Sequence, residues 1–527
     1  MARLIHSSMK QHPILDGFLS ASSMTACLMI VLSLGYAMTI HRMTIHRMIL
    51  FGAVRTRPMM YEVILRGGVL RDPCLKNSRD PDFVPLDPRL SRPFRTSGCG
   101  NYSKLCASTP LHRLGVYQLL NQQTGCWLTL QLQEKTGAVR LEVCDLSHEL
   151  DYDKLREAQF VSSLLDSDKI RPKAEPPVDV CRLRANFVAN GLILVVPIAH
   201  TVCDGRGITE VLSVFAKHFR HRSNIEFISS EENAHTKQFY KADRTNVLSS
   251  NGASGTIKNH MAWKALPRTP HLSSSSFVPP TGICANFRIS SDALRTLKLL
   301  ALPPKPILAD CASPSTYIFT HDAISALLWC NIMRARRQAN ILDENAIVYA
   351  IFPVDCRARL GLPAPYCGNA VYTTRTVLPL RTLTQPIAMD EHESDPLQIS
   401  GLQAAALDIR AALIQVTGDV FRDFLGFVEK NDSTMAMHMA GFEELGSSNM
   451  LLTSYFGFDH HGLDFGEVLG GRIEAFRIPS QGLLPGMQFL LPRLPDGGCE
   501  IVIFDSKEVV EALDADAIWK QMAVRQG

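Results

Sequence analysis

Residues Val180–His200, VCRLRANFVANGLILVVPIAH, constrain the fold more than any other stretch of the chain. Leu183, Ala185 and Phe187 alternate with Arg182, Arg184 and Asn186, which is the period of a strand. Asn190-Gly191 then sits between two apolar runs and predicts a hairpin, because both residues tolerate positive φ. Leu192 to Ile198 is unbroken apolar sequence, as expected of a strand covered on both faces. Pro197 lacks a donor and fits near that strand's end. Further on, Ile208, Val211, Leu212, Phe215 and Phe219 recur at helical spacing and predict an amphipathic helix. Between strand and helix lies His200-Thr-Val-Cys-Asp204-Gly205-Arg206-Gly207. The spacing thus places a histidine at a buried strand end, with a carboxylate in the glycine-rich turn before a helix.

His-x-x-x-Asp occurs twice more, at His12–Asp16 and His460–Asp464. With 17 histidines in 527 residues, roughly one such pair arises by chance, so the surroundings must decide. His12 is followed by Pro13 with no apolar strand before it, and reads as coincidence. His460 lies in a turn-rich stretch and reads as an exposed loop histidine. His200 alone has strand, turn and helix around it, a platform that can hold a base in place. Gly205 and Gly207 let a substrate or another backbone approach closely. On the residues alone, a base and a structural histidine capping the turn remain equally open.

Composition narrows the rest. At 46% hydrophobic and 20% charged the chain is ordinary globular protein, long enough for two to four domains. A net charge of +3 demands neither nucleic acid nor an acidic partner. The 14 cysteines show no zinc spacing and read as small core hydrophobes in a reducing compartment, so no metal site and a cytoplasmic location are expected. A thiol nucleophile at Cys203 lacks a separate Cys/His constellation. No phosphate loop is apparent, and Asp464-Phe-Gly has no kinase motifs around it. Met24–Ile40 is 17 residues without charge, at the short limit for a spanning helix, and is a candidate membrane segment. A direct repeat, Thr39–Met43 and Thr44–Met48, follows it. Residues 55–110, rich in Arg, Pro and Ser, read as loops, and Ser249–Pro280 as a linker. Ser290 should cap a helix bearing Leu294, Leu297 and Leu300, and Thr320–Trp329 should open another. Strand-like runs return at 347–354, 370–378, 472–478 and 500–504, and one last helix carries Val509, Leu513, Ile518, Trp519 and Met522. The pattern is α/β in two domains of similar size. The expected division is an irregular extension over 1–110, one domain over 111–250, a crossover linker over 251–280 and a second domain over 281–527.

The stretch NFVANGLILVVPIAHTVCDGRG resembles the His-x-x-x-Asp-Gly signature of the BAHD acyltransferases, in particular the fungal branch of trichothecene acetyltransferases. Three more segments match in order: STYIFTHDAISALLW (Ser315–Trp329), PVDCRARLGLPAPYCGNAV (Pro353–Val371) and LDFGEVLGGRIEAFRIP (Leu463–Pro479). The resemblance runs from about Leu111 to the C-terminus. It implies two chloramphenicol-acetyltransferase-like domains, each a mixed sheet with flanking helices, and an active-site tunnel at their interface. It implies acyl-CoA, in the first instance acetyl-CoA, as co-substrate with no bound cofactor, a small-molecule alcohol as acceptor, and a monomer. His200 would be the general base in a ternary complex, and Asp204 its structural support, paired with Arg357. Thr453 or Ser454 would lie near the oxyanion, with ordinary loop residues as the open alternative. Asp464 and Gly466 would shape the tunnel rather than react. The chain departs from the family at Ala199, where many relatives have a second histidine, at Tyr455, where they have Trp, and at Glu467-Val468, where plant members have Trp-Gly. Two alternatives stay open: a condensation-type domain, which Ala199 counts against, and a catalytically inactive binding relative.

Overall fold

The computed structural model describes short strands at 58–59, 62–66, 118–120 and 129–131, and residues 140–527 apart from 173–180, 201–202, 221–247, 268–280, 304–316, 363–365, 367, 387–399, 431–434, 467–469 and 481–482. Met24–Ile40 and its repeat, like His12–Asp16, lie outside the described residues. Among the described residues no helix is long and apolar enough to cross a membrane.

Five strands form the first sheet, in the order Ile473–Arg477, Glu62–Arg66, Gly191–Val195, Arg182–Val188 and Arg140–Asp145. The hairpin at its heart sets Val188 opposite Gly191, so the turn is Ala189-Asn190. Asn190 takes a φ of 62°, as the expected turn chemistry requires. Gly191 already belongs to the strand, and its missing side chain serves packing instead of φ: a Cβ there would meet Tyr152 at 2.7 Å. Every residue of Gly191–Val195 is buried, in line with its unbroken apolar sequence. Two neighbours come from far away in sequence. Glu62–Arg66 lies where composition predicted loops; its core Val63-Ile64-Leu65 is short but gains two antiparallel partners. Ile473–Arg477 crosses over from the C-terminal half of the chain.

The second sheet is mixed and seven-stranded: Val371–Pro379, Ile347–Asp355, Asn449–Ser454, Met487–Leu490, Cys499–Asp505, Ile283–Ile289 and Val524–Arg525. The helix Thr320–Gln338 packs on it with Ile324, Leu327, Leu328 and Trp329 fully or almost fully buried. Ser290 caps Ser291–Ala301 through Ala293 N, as its sequence predicted. The expected single last helix is two, Lys507–Ala515 and Ala517–Met522, because Asp516 breaks the first and caps the second. The Ser- and Gly-rich crossover is more than a linker: Trp263–Pro267 pairs antiparallel with Met435–Met439, and Ala262 and Trp263 are buried.

The two sheets share a core. Leu192, Leu194, Phe215 and Phe476 of the first lobe pack in one cluster with Phe489, Leu491 and Val502 of the second. Beside it, Arg477 forms a bidentate pair with Glu500 at 2.7 and 3.0 Å, and donates to the carbonyls of Gln159 and Phe160. Both of those residues hold positive φ, at 57° and 51°. Burial alone would raise the Glu500 carboxyl; Arg477 and Gln526 offset it and leave it below the usual range.

Candidate active site

His200 follows the two-residue strand Ile198–Ala199, directly after Pro197 ends the buried strand. Its residue surface is exposed, yet burial among protein atoms is the main force on its ring and lowers its pKa below 6.5. Its own backbone carbonyl and Asp204 oppose that lowering without cancelling it. At neutral pH the ring is therefore uncharged and able to accept a proton.

Asp204 caps the helix Gly205–Arg220: its Oδ1 accepts from Gly207 N at 2.9 Å. The same Oδ1 accepts from Arg357 at 2.8 Å, and Oδ2 accepts from Ala370 N at 2.8 Å. Three donors thus satisfy a carboxylate that is 2% exposed. It is turned into the protein and engaged by these donors. Arg357 is itself spoken for: Nε donates to the Tyr366 carbonyl, and other nitrogens donate to the Gly368 carbonyl and to Asp355. Burial alone would lower the Arg357 pKa; Asp204 and Asp355 outweigh it and raise it. Gly205 contributes a carbonyl that accepts from Thr209 Oγ1 at 2.9 Å.

Residues 368–370 are the part that sequence reasoning left without a role. Each makes one contact to the base apparatus: the Gly368 carbonyl to Arg357, the Asn369 amide to the His200 carbonyl at 2.9 Å, and Ala370 N to Asp204. The only signal in the sequence was the Gly-Asn-Ala block itself, which carries no periodicity.

Thr453 and Ser454 end a central strand of the second sheet, half-buried. The neighbouring parallel strand pairs Tyr349 with Asn449 and Ile351 with Leu451. Continued, that register sets Val354 beside Ser454, so both hydroxyls lie at the same end of the sheet as Arg357, about 4.7–4.9 Å away per strand. No hydrogen bond joins either residue to His200 among the described contacts.

His460 corrects an expectation. It is fully buried rather than an exposed loop residue. Its ring lies 4.4 Å from that of Phe476, and Nε2 is 3.4 Å from Thr209 Oγ1. Desolvation, aided by His461, pushes its pKa down to about 3. Because Thr209 donates to Gly205, the bond from His460 is best made by an Nε2–H, leaving Nδ1, which has no hydrogen-bond partner among the described residues, as a bare acceptor. Such a histidine packs the helix rather than moving protons. Asp464 accepts from Gly466 N at 2.8 Å, where Gly466 holds a φ of 76°, and lies 3.8 Å from Arg220 at the helix's last residue. His200 is at the other end of that 16-residue helix, roughly 22 Å away by helical rise. The Asp-Phe-Gly block is therefore not brought to the base; Phe465 packs edge-on to Phe215. Among the described residues no group of three His, Cys, Asp or Glu side chains could hold a metal.

Residues 114–218 match the family model of the trichothecene 3-O-acetyltransferase-like N-terminal domain. The chain is 37% identical over 397 residues to the enoyl-CoA isomerase/hydratase claC of Penicillium crustosum, covering 74% of this chain and 42% of that protein. It thus spans less than half of that relative's length. It is 26% identical to the O-acyltransferase pigD of Monascus ruber, over 71% of this chain and 77% of that one. Its fold is similar to the crystal structure of F. graminearum TRI101 complexed with coenzyme A and T-2 mycotoxin, with a TM-score of 0.66 at 18% identity, over 92% of this chain and 98% of the other. The architecture is accordingly that of two chloramphenicol-acetyltransferase-like domains.

Proposed function

We propose a reaction for a chain that is BAHD-type and trichothecene-acetyltransferase-like: transfer of an acyl group, in the first instance acetyl, from acyl-CoA to a hydroxyl of a fungal secondary metabolite of terpenoid or polyketide type. The observation that carries it is His200, exposed after its strand end with its backbone carbonyl bonded by Asn369, beside a buried Asp204–Arg357 pair that joins the two lobes. His200 takes the proton of the acceptor hydroxyl as its oxygen attacks the thioester carbonyl. The C–O bond forms, the tetrahedral oxyanion collapses, the C–S bond breaks, and the thiolate leaves with the proton returned from the imidazolium. No acyl-enzyme is needed, since holding both substrates together supplies much of the rate. Thr453 or Ser454, at the sheet end shared with Arg357, is the candidate donor to the oxyanion. Gly205 and Gly207, in the first turn of the helix, let a substrate approach closely, and Asp464 and Gly466 shape the wall far from the reacting atoms. A division into two lobes, with Glu62–Arg66 belonging to the first, a monomeric state and a cytoplasmic location complete the proposal.

The test is to incubate purified chain with acetyl-CoA and a panel of terpenoid and polyketide alcohols, and to follow free thiol and acylated product. Acceptor-dependent thiol release with product ester is expected. The name of the claC relative supports a second reading, addition or double-bond migration on an enoyl-CoA. Turnover of enoyl-CoA with no ester from any alcohol would favour that reading and remove the first.

A further inference from the structure

We infer that Asn369 is a positioning residue for His200, holding the base from the opposite lobe by donating its amide N–H to the His200 backbone carbonyl. The inference rests on the reading of His200 as the base. Its geometry stands independently. His200 follows Ile198–Ala199 of the first lobe, a two-residue strand that pairs with Pro58–Met59. Asn369 lies in the approach to Val371–Pro379 of the second sheet, and its Nδ2 reaches that carbonyl at 2.9 Å.

The anchor is itself rigid. Gly368 before it accepts from Arg357 at 2.6 Å, and a Cβ at Gly368 would sit 2.6 Å from the Tyr366 hydroxyl. Ala370 after it donates to Asp204 at 2.8 Å and accepts from Cys356 N at 2.8 Å. Asn369 is therefore pinned on both sides by the apparatus that locks the turn. Arg357 holds the Asp204 carboxylate, and Asn369 holds the His200 carbonyl. A carbonyl fixed in direction fixes ψ of His200, and with it the region into which the Cβ and ring project. Loss of the amide leaves folding contacts intact but lets the ring wander, and a misplacement of about 1 Å can cost about 100-fold in rate.

Two substitutions separate donor from bulk. Asn369→Ala removes the amide, and Asn369→Asp keeps the shape but replaces the donor with an acceptor that repels a carbonyl. Asn369→Gln, which keeps the donor, is the rescue. Expected for Ala and Asp is a fall in kcat of about 10- to 100-fold, with KM for acetyl-CoA and the thermal midpoint little changed, and partial recovery for Gln. The His200 titration, followed by NMR of histidine-labelled protein and assigned with His200→Gln, should move toward the ordinary histidine value in Ala and Asp. A kcat within twofold of wild type in both variants overturns the inference. So does a loss that comes entirely as a lower thermal midpoint. If wild type transfers no acyl group at all, the base reading fails, and the NMR titration alone decides: an unmoved His200 in Asn369→Ala then overturns the inference, and a moved one sustains it.

Discussion

At the scale of single residues, the site is a set of constraints on one imidazole. Burial keeps its folded pKa below 6.5, so the base form is populated at neutral pH and lost as pH falls through that depressed value. The acid limb of kcat/KM should accordingly lie below pH 6.5, and a limb above it in the free enzyme would show a ring that is solvated rather than walled. Asp204 works differently. Replacing it with Ala leaves the buried Arg357 with the partly exposed Asp355 as its remaining carboxylate, and breaking a buried pair costs up to about 3–5 kcal/mol. Urea unfolding of Asp204→Ala should show a loss of that order. An unchanged midpoint with lost activity would instead make Asp204 a reacting group. The two described histidines of His-x-x-x-Asp spacing differ in burial. His460 has the same spacing to an aspartate as His200, but it is fully buried against aromatic rings at the flank of the helix that His200 precedes.

At the scale of elements, the hairpin and the helix after it were legible because each rests on local periodicity. Gly191–Val195 and Gly205–Arg220 follow the apolar pattern of their own sequence, whereas Arg182–Val188 forms as a strand but does not bury by alternation: Arg182 and Asn186 are buried and Phe187 is only half-buried. What was not legible is what tertiary contact decides. Gly191 reads locally as a turn glycine, yet the Tyr152 ring occupies the space its side chain would need. Gly191→Ala should therefore destabilise by roughly 1–3 kcal/mol, the usual range for overpacking a core. A neutral or stabilising effect in thermal unfolding would return Gly191 to an ordinary strand position. Glu62–Arg66 escaped the composition reading because three apolar residues among Arg and Pro carry little signal, and only two distant strands give it partners. The role of Asn369 escaped for the same reason: an amide pointing at a carbonyl 169 positions away leaves no trace in spacing.

At the scale of the whole molecule, the site exists because two lobes are locked together. One lock is Arg357 on Asp204; the other is Arg477 on Glu500, both partners nearly inaccessible. Arg477→Met should cost about 3–5 kcal/mol by leaving Glu500 unpaired, and adding Glu500→Leu should recover much of it. A double variant no more stable than the single would mean that Arg477 acts mainly through the Gln159 and Phe160 carbonyls. The resemblance read from four motifs anticipated this two-lobed architecture; two of them, the His200–Asp204 and Pro353–Val371 segments, meet through Arg357 and Ala370. Release of CoA thiol from acetyl-CoA in the presence of an alcohol acceptor, measured side by side for wild type and His200→Ala, probes the base most directly. A fall of about 100- to 10,000-fold in the variant, with its thermal midpoint retained, is the predicted result. Equal rates in the two proteins would contradict it.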